Sequence, residues 1–262
     1  MFTKIMYINL ERRPDRKKNI ENQLDKINNK LPFERINAVD AKKLDIQNLS
    51  NKLVTKDGIK SALNKKNGLY TILTKGAIGC ALSHKIAWEK VMNGNDEYVL
   101  IVEDDIEFID NYNDKLNSII KKVPKYDILY LGNSGYNKHS GLDSVDIPKL
   151  TYGTFGYIIN KTAAKMLLQV FPITQQIDTE MSKVFDRLKV FTVKYNKDDI
   201  DERIILSDLS QESYKYGTDI QHREYFSNTN NNNCNMIPFL IIFACILIFL
   251  YLKMNKYPIS FK

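Results

Sequence analysis

Short apolar runs alternate with amphipathic stretches from the N-terminus to about Lys194. The runs have the length of strands, and the stretches carry apolar residues at helical spacing. Strands that alternate with helices form α/β sheets, which are mostly parallel and bind ligands beyond the carboxyl ends of the strands. We therefore predict an α/β fold with a mostly parallel central sheet. The predicted strands are Lys4–Leu10, Phe33–Val39, Tyr98–Val102, Tyr126–Leu131, Phe155–Asn160 and Val190–Lys194, and the predicted helices are Pro14–Ile27, Gly76–Met92, Asn111–Lys122, Thr162–Phe171 and Thr179–Leu188.

The composition is that of a globular protein that needs no cross-links. Its 262 residues, 44% of them hydrophobic, are enough to bury a core without disulfides. The three cysteines, Cys80, Cys234 and Cys245, show neither a disulfide framework nor the spacing of a zinc site. The net charge of +7 comes from Lys residues that alternate with acidic residues, which favours a solvated surface over a nucleic-acid-binding face. We expect no nucleic-acid partner.

An apolar run of 17 uncharged residues, Met236–Leu252, follows an Asn-rich stretch at residues 227–235. A helix of that length covers about 25 Å, close to the minimum for crossing a bilayer. We predict a main domain at residues 1–226, a linker at 227–235, a transmembrane helix at 236–252 and a short basic tail at 253–262. A buried core helix is the alternative. The first residues resemble a core strand rather than a signal peptide, so we expect a C-terminal membrane anchor with the main domain in the cytosol.

Three consecutive carboxylates, Glu103, Asp104 and Asp105, follow directly on the buried-strand pattern at residues 99–102. Residues two apart in an extended chain share a face, so Glu103 and Asp105 could hold one cation while Asp104 points elsewhere. Carboxylate oxygens suit Mg²⁺ or Mn²⁺, and a cation would relieve the repulsion among the three charges. The triplet predicts a metal site, and a solvated acidic turn is the alternative.

Two further polar clusters lie at the start of predicted helices. Residues 9–16 follow the first strand, where backbone N–H groups together with Arg12 and Arg16 favour a phosphate group, although a solvated helix start is the alternative. Residues 76–84 contain two glycines that allow close approach of a backbone or ligand, and they end at Ser83 and His84, which supply hydrogen-bonding groups. The sequence contains neither a dinucleotide-binding glycine fingerprint nor a Walker-type loop.

Taken in order, these segments resemble glycosyltransferase family 25, which includes bacterial lipooligosaccharide galactosyltransferases and collagen hydroxylysine galactosyltransferases. The resemblance covers the chain from residue 4 to about residue 220. It is carried by Tyr7-Ile8-Asn9-Leu10 with Arg12, Arg13 and Arg16, by Asn37-Ala38-Val39-Asp40, by Gly76 through His84 with Trp88, by Val102-Glu103-Asp104-Asp105, by Gly156-Tyr157-Ile158-Ile159 with Ala163, and by Asp178.

The resemblance implies a GT-A-like fold and an inverting transfer of a hexose from a UDP-sugar. The hexose is galactose ahead of glucose, and the acceptor is a hydroxyl group on a glycan, such as lipopolysaccharide, or on a protein. The implied cofactor is Mn²⁺ or Mg²⁺, held by Glu103 and Asp105, with His222 as a further candidate ligand. The implied donor-binding residues are Asn9, Arg12, Arg16, Ala38, Asp40, Ser83, His84 and Asp104.

Inversion also requires a carboxylate that takes the proton of the acceptor hydroxyl. Asp178, at the start of a predicted helix, is the candidate, with Asp105 as the second catalytic residue at the cation. The alternative role for Asp178 is an N-cap of that helix. The alternative function for the whole chain is a catalytically inactive membrane protein of the same fold that binds a nucleotide or a glycan.

Overall fold

Ten strands and six α-helices make up the part of the chain that the computed structural model describes, which is residues 1–27, 31–64, 73–132, 135–194 and 206–208. The strands are β1 (Lys4–Asn9), β2 (Phe33–Asn37), β3 (Tyr98–Glu103), β4 (Ile106–Phe108), β5 (Ile128–Tyr130), β6 (Tyr136–His139), β7 (Val145–Leu150), β8 (Gly156–Asn160), β9 (Val190–Val193) and β10 (Leu206–Asp208). The helices are α1 (Pro14–Ile27), α2 (Lys56–Leu63), α3 (Lys75–Asn93), α4 (Tyr112–Ile120), α5 (Lys161–Leu167) and α6 (Ile177–Ser182).

The central sheet has eight strands in the order β2-β1-β3-β8-β5-β9-β7-β6, and β4 pairs separately with β10. Three neighbouring pairs are parallel, namely β1 with β2, β1 with β3, and β5 with β9. Four are antiparallel, namely β3 with β8, β5 with β8, β6 with β7, and β7 with β9. The prediction of a mostly parallel sheet is therefore wrong. The sheet is mixed because β8 runs in reverse between β3 and β5 and because β6 and β7 form a hairpin at one edge.

Helices cover both faces of this sheet, and the alternation along its strands separates the two cores. In β1, Met6 and Ile8 face the core that contains α3, α5 and α6. Ile5 and Tyr7 face the opposite core, which contains α1 and α4. The same alternation along β3 and β8 gives an α/β/α arrangement. The predicted α/β class is confirmed.

Most predicted elements are present, with small differences at their ends. Helix α1 has the predicted bounds, since Pro14 suits the first helical position. The two predicted helices in residues 162–188 are shorter, because each gives way to a 3₁₀ turn, at Leu168–Val170 and at Phe185–Arg187. The elements that the prediction missed are α2, β4, β6, β7 and β10. All four residues of β6 are exposed, so no apolar alternation marks it in the sequence.

Within the described ranges, no helix combines the length and the apolar character that crossing a membrane requires. The predicted linker, transmembrane helix and basic tail, residues 227–262, lie outside the described residues, as does His222. The predicted domain boundaries therefore stay predictions.

Candidate active site

The polar residues that follow β1 and β3 meet at one edge of the sheet. The two strands are parallel neighbours with Ile8 opposite Glu103, so their carboxyl ends coincide. The side-chain amide of Asn9 donates to Oδ2 of Asp104 at 2.6 Å. Nε of Arg35 donates to Oδ1 of Asn9 at 2.9 Å, which fixes the orientation of the amide. The first two polar clusters of the sequence therefore form a single site.

Arg16 is the buried cation of this site. Its Nη1 lies 3.1 Å from Oδ1 of Asp104 and 3.0 Å from Oδ2 of Asp105, and all three side chains are at most 8% exposed. Burial raises the pKa of Asp104, and the charge of Arg16 and the Asn9 amide limit that rise. Arg16, predicted to bind a donor phosphate, thus binds two carboxylates of its own chain.

The three carboxylates do not alternate as predicted. Strand β3 ends at Glu103, and residues 104 and 105 form a turn. Glu103 contacts His84 of α3, whereas Asp105 joins Asp104 at Arg16 of α1. The prediction that Glu103 and Asp105 share a face of the strand is therefore wrong, because the two-residue period ends where the turn begins.

Glu103 is held through one of its two oxygens. Oε1 accepts a hydrogen bond from the Thr154 hydroxyl at 2.6 Å and lies 3.3 Å from Nε2 of His84. Burial raises the pKa of Glu103, but the hydrogen bond and charge of His84, the Thr154 hydroxyl and the charge of Arg16 outweigh it, so the pKa lies below its ordinary value. Among the described residues Oε2 takes none of these hydrogen bonds, and the side chain is 20% exposed. One charged carboxylate oxygen therefore faces outwards.

A buried chain of hydrogen bonds fixes the ring of His84. Nε1 of Trp88 donates to Oη of Tyr157 at 2.8 Å, and the same oxygen lies 2.8 Å from Nδ1 of His84. Trp88 can only donate, whereas Oη of Tyr157 can donate to or accept from Nδ1 of His84. Both ring nitrogens of His84 therefore have a fixed neighbour, Tyr157 at Nδ1 and Glu103 at Nε2. Three side chains that carry the family resemblance therefore act in one network.

Asp178 lies beside the same site, behind the segment at residues 151–154. Its Oδ2 accepts from the backbone N–H of Gly153 at 2.9 Å, and its Oδ1 accepts from the backbone N–H of Thr179 at 2.6 Å. Gly153 has φ +92°, a conformation that favours glycine. The N-cap of α6 is Gln176, so the alternative role of Asp178 as the cap is wrong, although Asp178 does lie in the first turn. Asp178 and Glu103 are linked through Gly153 and Thr154.

Ser83 holds the segment that follows β2. Its hydroxyl donates to the carbonyl of Gly79 at 2.7 Å and accepts from the N–H of Val39 at 2.9 Å. A Cβ at Gly79 would lie 2.7 Å from the carbonyl oxygen of Val39, so only glycine allows α3 to approach this closely. The predicted close approach at the glycines is confirmed for Gly79. Ser83 is 1% exposed and positions the backbone between the predicted donor-binding residues Ala38 and Asp40.

Ala38, Asp40 and Arg12 lie on the accessible side of the same edge. The N–H of Ala38 donates to the carbonyl of Asn9 at 3.0 Å, which continues the pairing of β1 with β2. Nε of Arg12 donates to Oδ2 of Asp40 at 2.9 Å in an exposed ion pair. Asp40 also caps the 3₁₀ turn Ala41–Lys43 by accepting from the N–H of Lys42 at 3.0 Å. Every predicted site residue except His222 is therefore described, and together they line one edge.

Sequence reasoning missed four contributors to this site. Thr154, Tyr157 and Arg35 position Glu103, His84 and Asn9, as described above. Cys80 brings its Sγ within 4.8 Å of ligand atoms of His84 and Glu103. No zinc-site spacing was found among the cysteines of the sequence, but Cys80 and His84 are four residues apart on a helix and share a face. Burial raises the pKa of the Cys80 thiol well above its ordinary value, and the charges of Glu103 and Asp178 raise it further.

Residues 2–152 match the family model described as glycosyltransferase family 25 (LPS biosynthesis protein). The chain belongs to glycosyltransferase family 25. A glycosyltransferase 25 family member from Drosophila pseudoobscura pseudoobscura is 31% identical over 209 residues, which are 75% of this chain and 32% of the fly protein.

Two vertebrate relatives within glycosyltransferase family 25 carry opposite descriptions. The Mus musculus protein is named inactive glycosyltransferase 25 family member 3 and is 28% identical over 71% of this chain and 32% of its own length. The Xenopus laevis protein is named procollagen galactosyltransferase 1-B and is 26% identical over 68% of this chain and 30% of its own length. The chain thus spans about a third of the length of the curated relatives it matches.

Among solved structures, a Drosophila β-1,4-galactosyltransferase 7 mutant in complex with manganese, UDP-Gal and xylobiose aligns with 90% of this chain and 82% of its own, with a TM-score of 0.43 and 9% identity.

Proposed function

We propose that this chain transfers a hexose, galactose ahead of glucose, from a UDP-sugar to a hydroxyl group on a glycan or a protein. The observation that carries the proposal is the convergence of the residues after β1 and β3 at one edge, where Glu103 presents an open carboxylate oxygen. Membership of glycosyltransferase family 25 supports sugar transfer. The name of the Xenopus laevis relative supports galactose as the first donor to try.

A divalent cation, Mn²⁺ or Mg²⁺, is part of the proposal. Glu103 would hold it through Oε2, which accepts none of the described hydrogen bonds, and Asp105 would be the second ligand by exchanging its ion pair with Arg16 for the cation. When bound, the cation supplies positive charge for the leaving diphosphate. Arg16 meanwhile neutralises Asp104, so that this carboxylate does not add to the negative charge facing the donor.

The chain's own residues then bind the donor and move one proton. Arg12 is exposed and close to Ala38 and Asp40, so it binds the nucleotide part of the donor. Asp178 takes the proton of the acceptor hydroxyl while that oxygen bonds to the anomeric carbon with inversion and the bond from this carbon to the diphosphate oxygen breaks, which releases UDP. The N–H groups of Gly153 and Thr179 hold the Asp178 carboxylate in one orientation for this step.

The proposal also covers the location of the chain. Residues 236–252 would cross a membrane as one helix, with the main domain on the cytosolic side. Support comes from the run of 17 uncharged residues and the Asn-rich stretch before it. Protease digestion of sealed vesicles tests this part, since protection of the main domain would reverse the orientation.

The alternative function is binding of a nucleotide or glycan without transfer. A specific observation favours considering it, because the Mus musculus relative is named inactive. The ion pairs from Arg16 to Asp104 and Asp105 would serve a binding domain equally well, since they stabilise the fold without any ligand.

Release of UDP from a panel of UDP-sugars by the full-length chain, with Mn²⁺ or with a chelator, separates the two functions. We expect Mn²⁺-dependent release from one donor, reduced by about 100-fold or more in Glu103→Gln and Asp105→Asn. Glu107→Gln is the matched control, because Glu107 is an exposed carboxylate on β4. Donor binding without release, with all acceptors tried, would favour the binding function. Neither binding nor release by folded protein would overturn both.

A further inference from the structure

Three side chains with metal-binding atoms converge beside the carboxyl end of β3. Cys80 and His84 lie one helical turn apart on α3, and Glu103 ends the neighbouring strand. The Sγ atom of Cys80, a ring nitrogen of His84 and a carboxylate oxygen of Glu103 all lie within 4.8 Å of one another. The proposed sugar transfer makes no use of Cys80, so the function already described leaves this thiol unexplained.

The separation of His84 and Glu103 suits two ligands of one cation. Nε2 of His84 and Oε1 of Glu103 are 3.3 Å apart. That is longer than the range of about 2.7 to 3.2 Å for an ordinary N–H···O hydrogen bond. Two nitrogen or oxygen ligands that each lie about 2.0 to 2.1 Å from a tetrahedral zinc ion are themselves about 3.3 Å apart. Both side chains therefore already have the spacing that a shared zinc ion requires.

His84 also has the outer partner that a metal-bound histidine needs. A ligating imidazole hydrogen-bonds through its second ring nitrogen, which fixes the ring in place. Nδ1 of His84 lies 2.8 Å from Oη of Tyr157. A phenolic oxygen has two lone pairs, so Tyr157 can accept from Nδ1 of His84 and from Nε1 of Trp88 at once. With the ring proton on Nδ1, Nε2 is free to bind a cation.

We propose that Cys80, His84 and Glu103 bind a divalent cation of the zinc class, with water in the fourth position. One thiolate and one imidazole select Zn²⁺ or Co²⁺ over the hard cations Mg²⁺ and Mn²⁺. Binding replaces the thiol proton of Cys80 by the metal and releases that proton to solvent. Glu103 is 20% exposed, which gives the cation a route from solvent.

Glu103 is common to this site and to the proposed Mn²⁺ site, so a Zn²⁺ ion bound to it neutralises charge that the Mn²⁺ site needs and weakens Mn²⁺ binding. Zn²⁺ would then inhibit the transfer of sugar, and this consequence alone rests on the proposed function. Binding of Zn²⁺ does not depend on it. Failure of the transferase proposal therefore leaves the zinc site open to a separate test.

Cobalt is the probe for that test, because Co²⁺ replaces Zn²⁺ and has an absorption spectrum. The full-length chain is reduced, stripped with a chelator and titrated with Co²⁺. We expect a thiolate-to-cobalt charge-transfer band together with the intense visible bands of a tetrahedral site. Cys80→Ser should abolish the charge-transfer band, whereas Cys234→Ser and Cys245→Ser are the matched controls that should keep it. Tyr157→Phe, which removes the hydrogen-bond partner of His84 Nδ1 and of Trp88 Nε1 but no proposed ligand, should weaken Co²⁺ binding about tenfold or more.

Three results would overturn the proposal: cobalt bound without a charge-transfer band, a band that persists in Cys80→Ser, or a band lost in either control variant. Thermal unfolding of each variant shows whether it is folded. If Cys80→Ser does not fold, X-ray absorption of the unmodified chain loaded with Zn²⁺ decides instead. One sulfur among nitrogen and oxygen ligands supports the site, and any other sulfur count excludes it.

Discussion

The carboxylates on the two sides of the end of β3 are stabilised in different ways. On the side of α1, Asp104 and Asp105 are buried and both lie within 3.1 Å of the guanidinium of Arg16. On the side of α3, Glu103 meets no cationic Lys or Arg among the described residues, and is held by Thr154 and His84 with one oxygen exposed. Three consecutive carboxylates therefore have separate roles. The paired side stabilises the fold, and the hydrogen-bonded side keeps an oxygen for a ligand.

The largest expected effect is on the paired side. Arg16→Met removes the cation between two buried carboxylates and should lower the free energy of unfolding by about 3 to 5 kcal/mol. Lys17→Met on the same helix is the control, because Lys17 pairs with Glu21 at 3.8 Å in an exposed position and should cost less than about 0.5 kcal/mol. Urea denaturation measures both. Equal costs for the two variants would mean that the buried pairing does not distinguish this side.

A smaller effect is expected on the hydrogen-bonded side. Thr154→Val keeps the shape of the side chain but removes the hydroxyl that donates to Glu103. This substitution should lower the free energy of unfolding by about 1.5 kcal/mol. Thr3→Val is the matched control, because the Thr3 hydroxyl donates to Asp96 at the same 2.6 Å in an exposed position. We expect its cost to be below about 0.5 kcal/mol in the same denaturation experiment. If Thr3→Val lowers the free energy of unfolding as much as Thr154→Val does, then burial does not strengthen the hydrogen bond to Glu103.

The pH dependence of stability should have opposite signs on the two sides. The pKa of Glu103 is lowered from 4.5, so the stability that its charge contributes is present above pH 4.5 and is lost as the pH falls through the folded-state pKa. The pKa of Asp104 is raised from 3.8, so its contribution is complete below pH 3.8 and is lost as the pH rises through the folded-state pKa.

Both trends are measured by urea denaturation of the wild type, Glu103→Gln and Asp104→Asn at a series of pH values from neutral into the acid range. As the pH falls, the wild-type advantage over Glu103→Gln should shrink, and the advantage over Asp104→Asn should grow. The same trend in both comparisons would contradict the separate roles of the two sides.

The smallest effect on stability is expected at the exposed pair of Arg12 and Asp40. Arg12→Ala should change the free energy of unfolding by less than about 1 kcal/mol, because surface ion pairs are screened by solvent. It should nevertheless weaken UDP binding severalfold, since Arg12 is the accessible cation of the proposed donor site. Calorimetric titration with UDP checks this. Unchanged UDP affinity would mean that the nucleotide does not bind at Arg12.

The sequence was sufficient to predict the strands and helices that bring the site together. β1, α1, α3 and β3 have strong apolar patterns, so Asn9 and Glu103 are each predicted at the carboxyl end of a strand, where this fold class binds ligands. The direction of β8 was not predictable, because a buried strand such as Gly156–Asn160 has the same pattern in either direction. The role of Thr154 was missed for a related reason, since it reaches Glu103 across 51 positions. The prediction that Asp105 shares a face with Glu103 is wrong because the alternation of side chains does not show where a strand ends.

The reversed direction of β8 has a consequence for insertions and deletions. Gly156 pairs with Val102, so the chain that enters β8 arrives at the edge where β3 ends. An insertion just before β8 would displace Thr154 from Glu103 and Gly153 from Asp178 together. An insertion after β8, at the far edge where α5 begins, would leave both contacts intact. Insertions and deletions should therefore be tolerated after β8 in the chain but not before it.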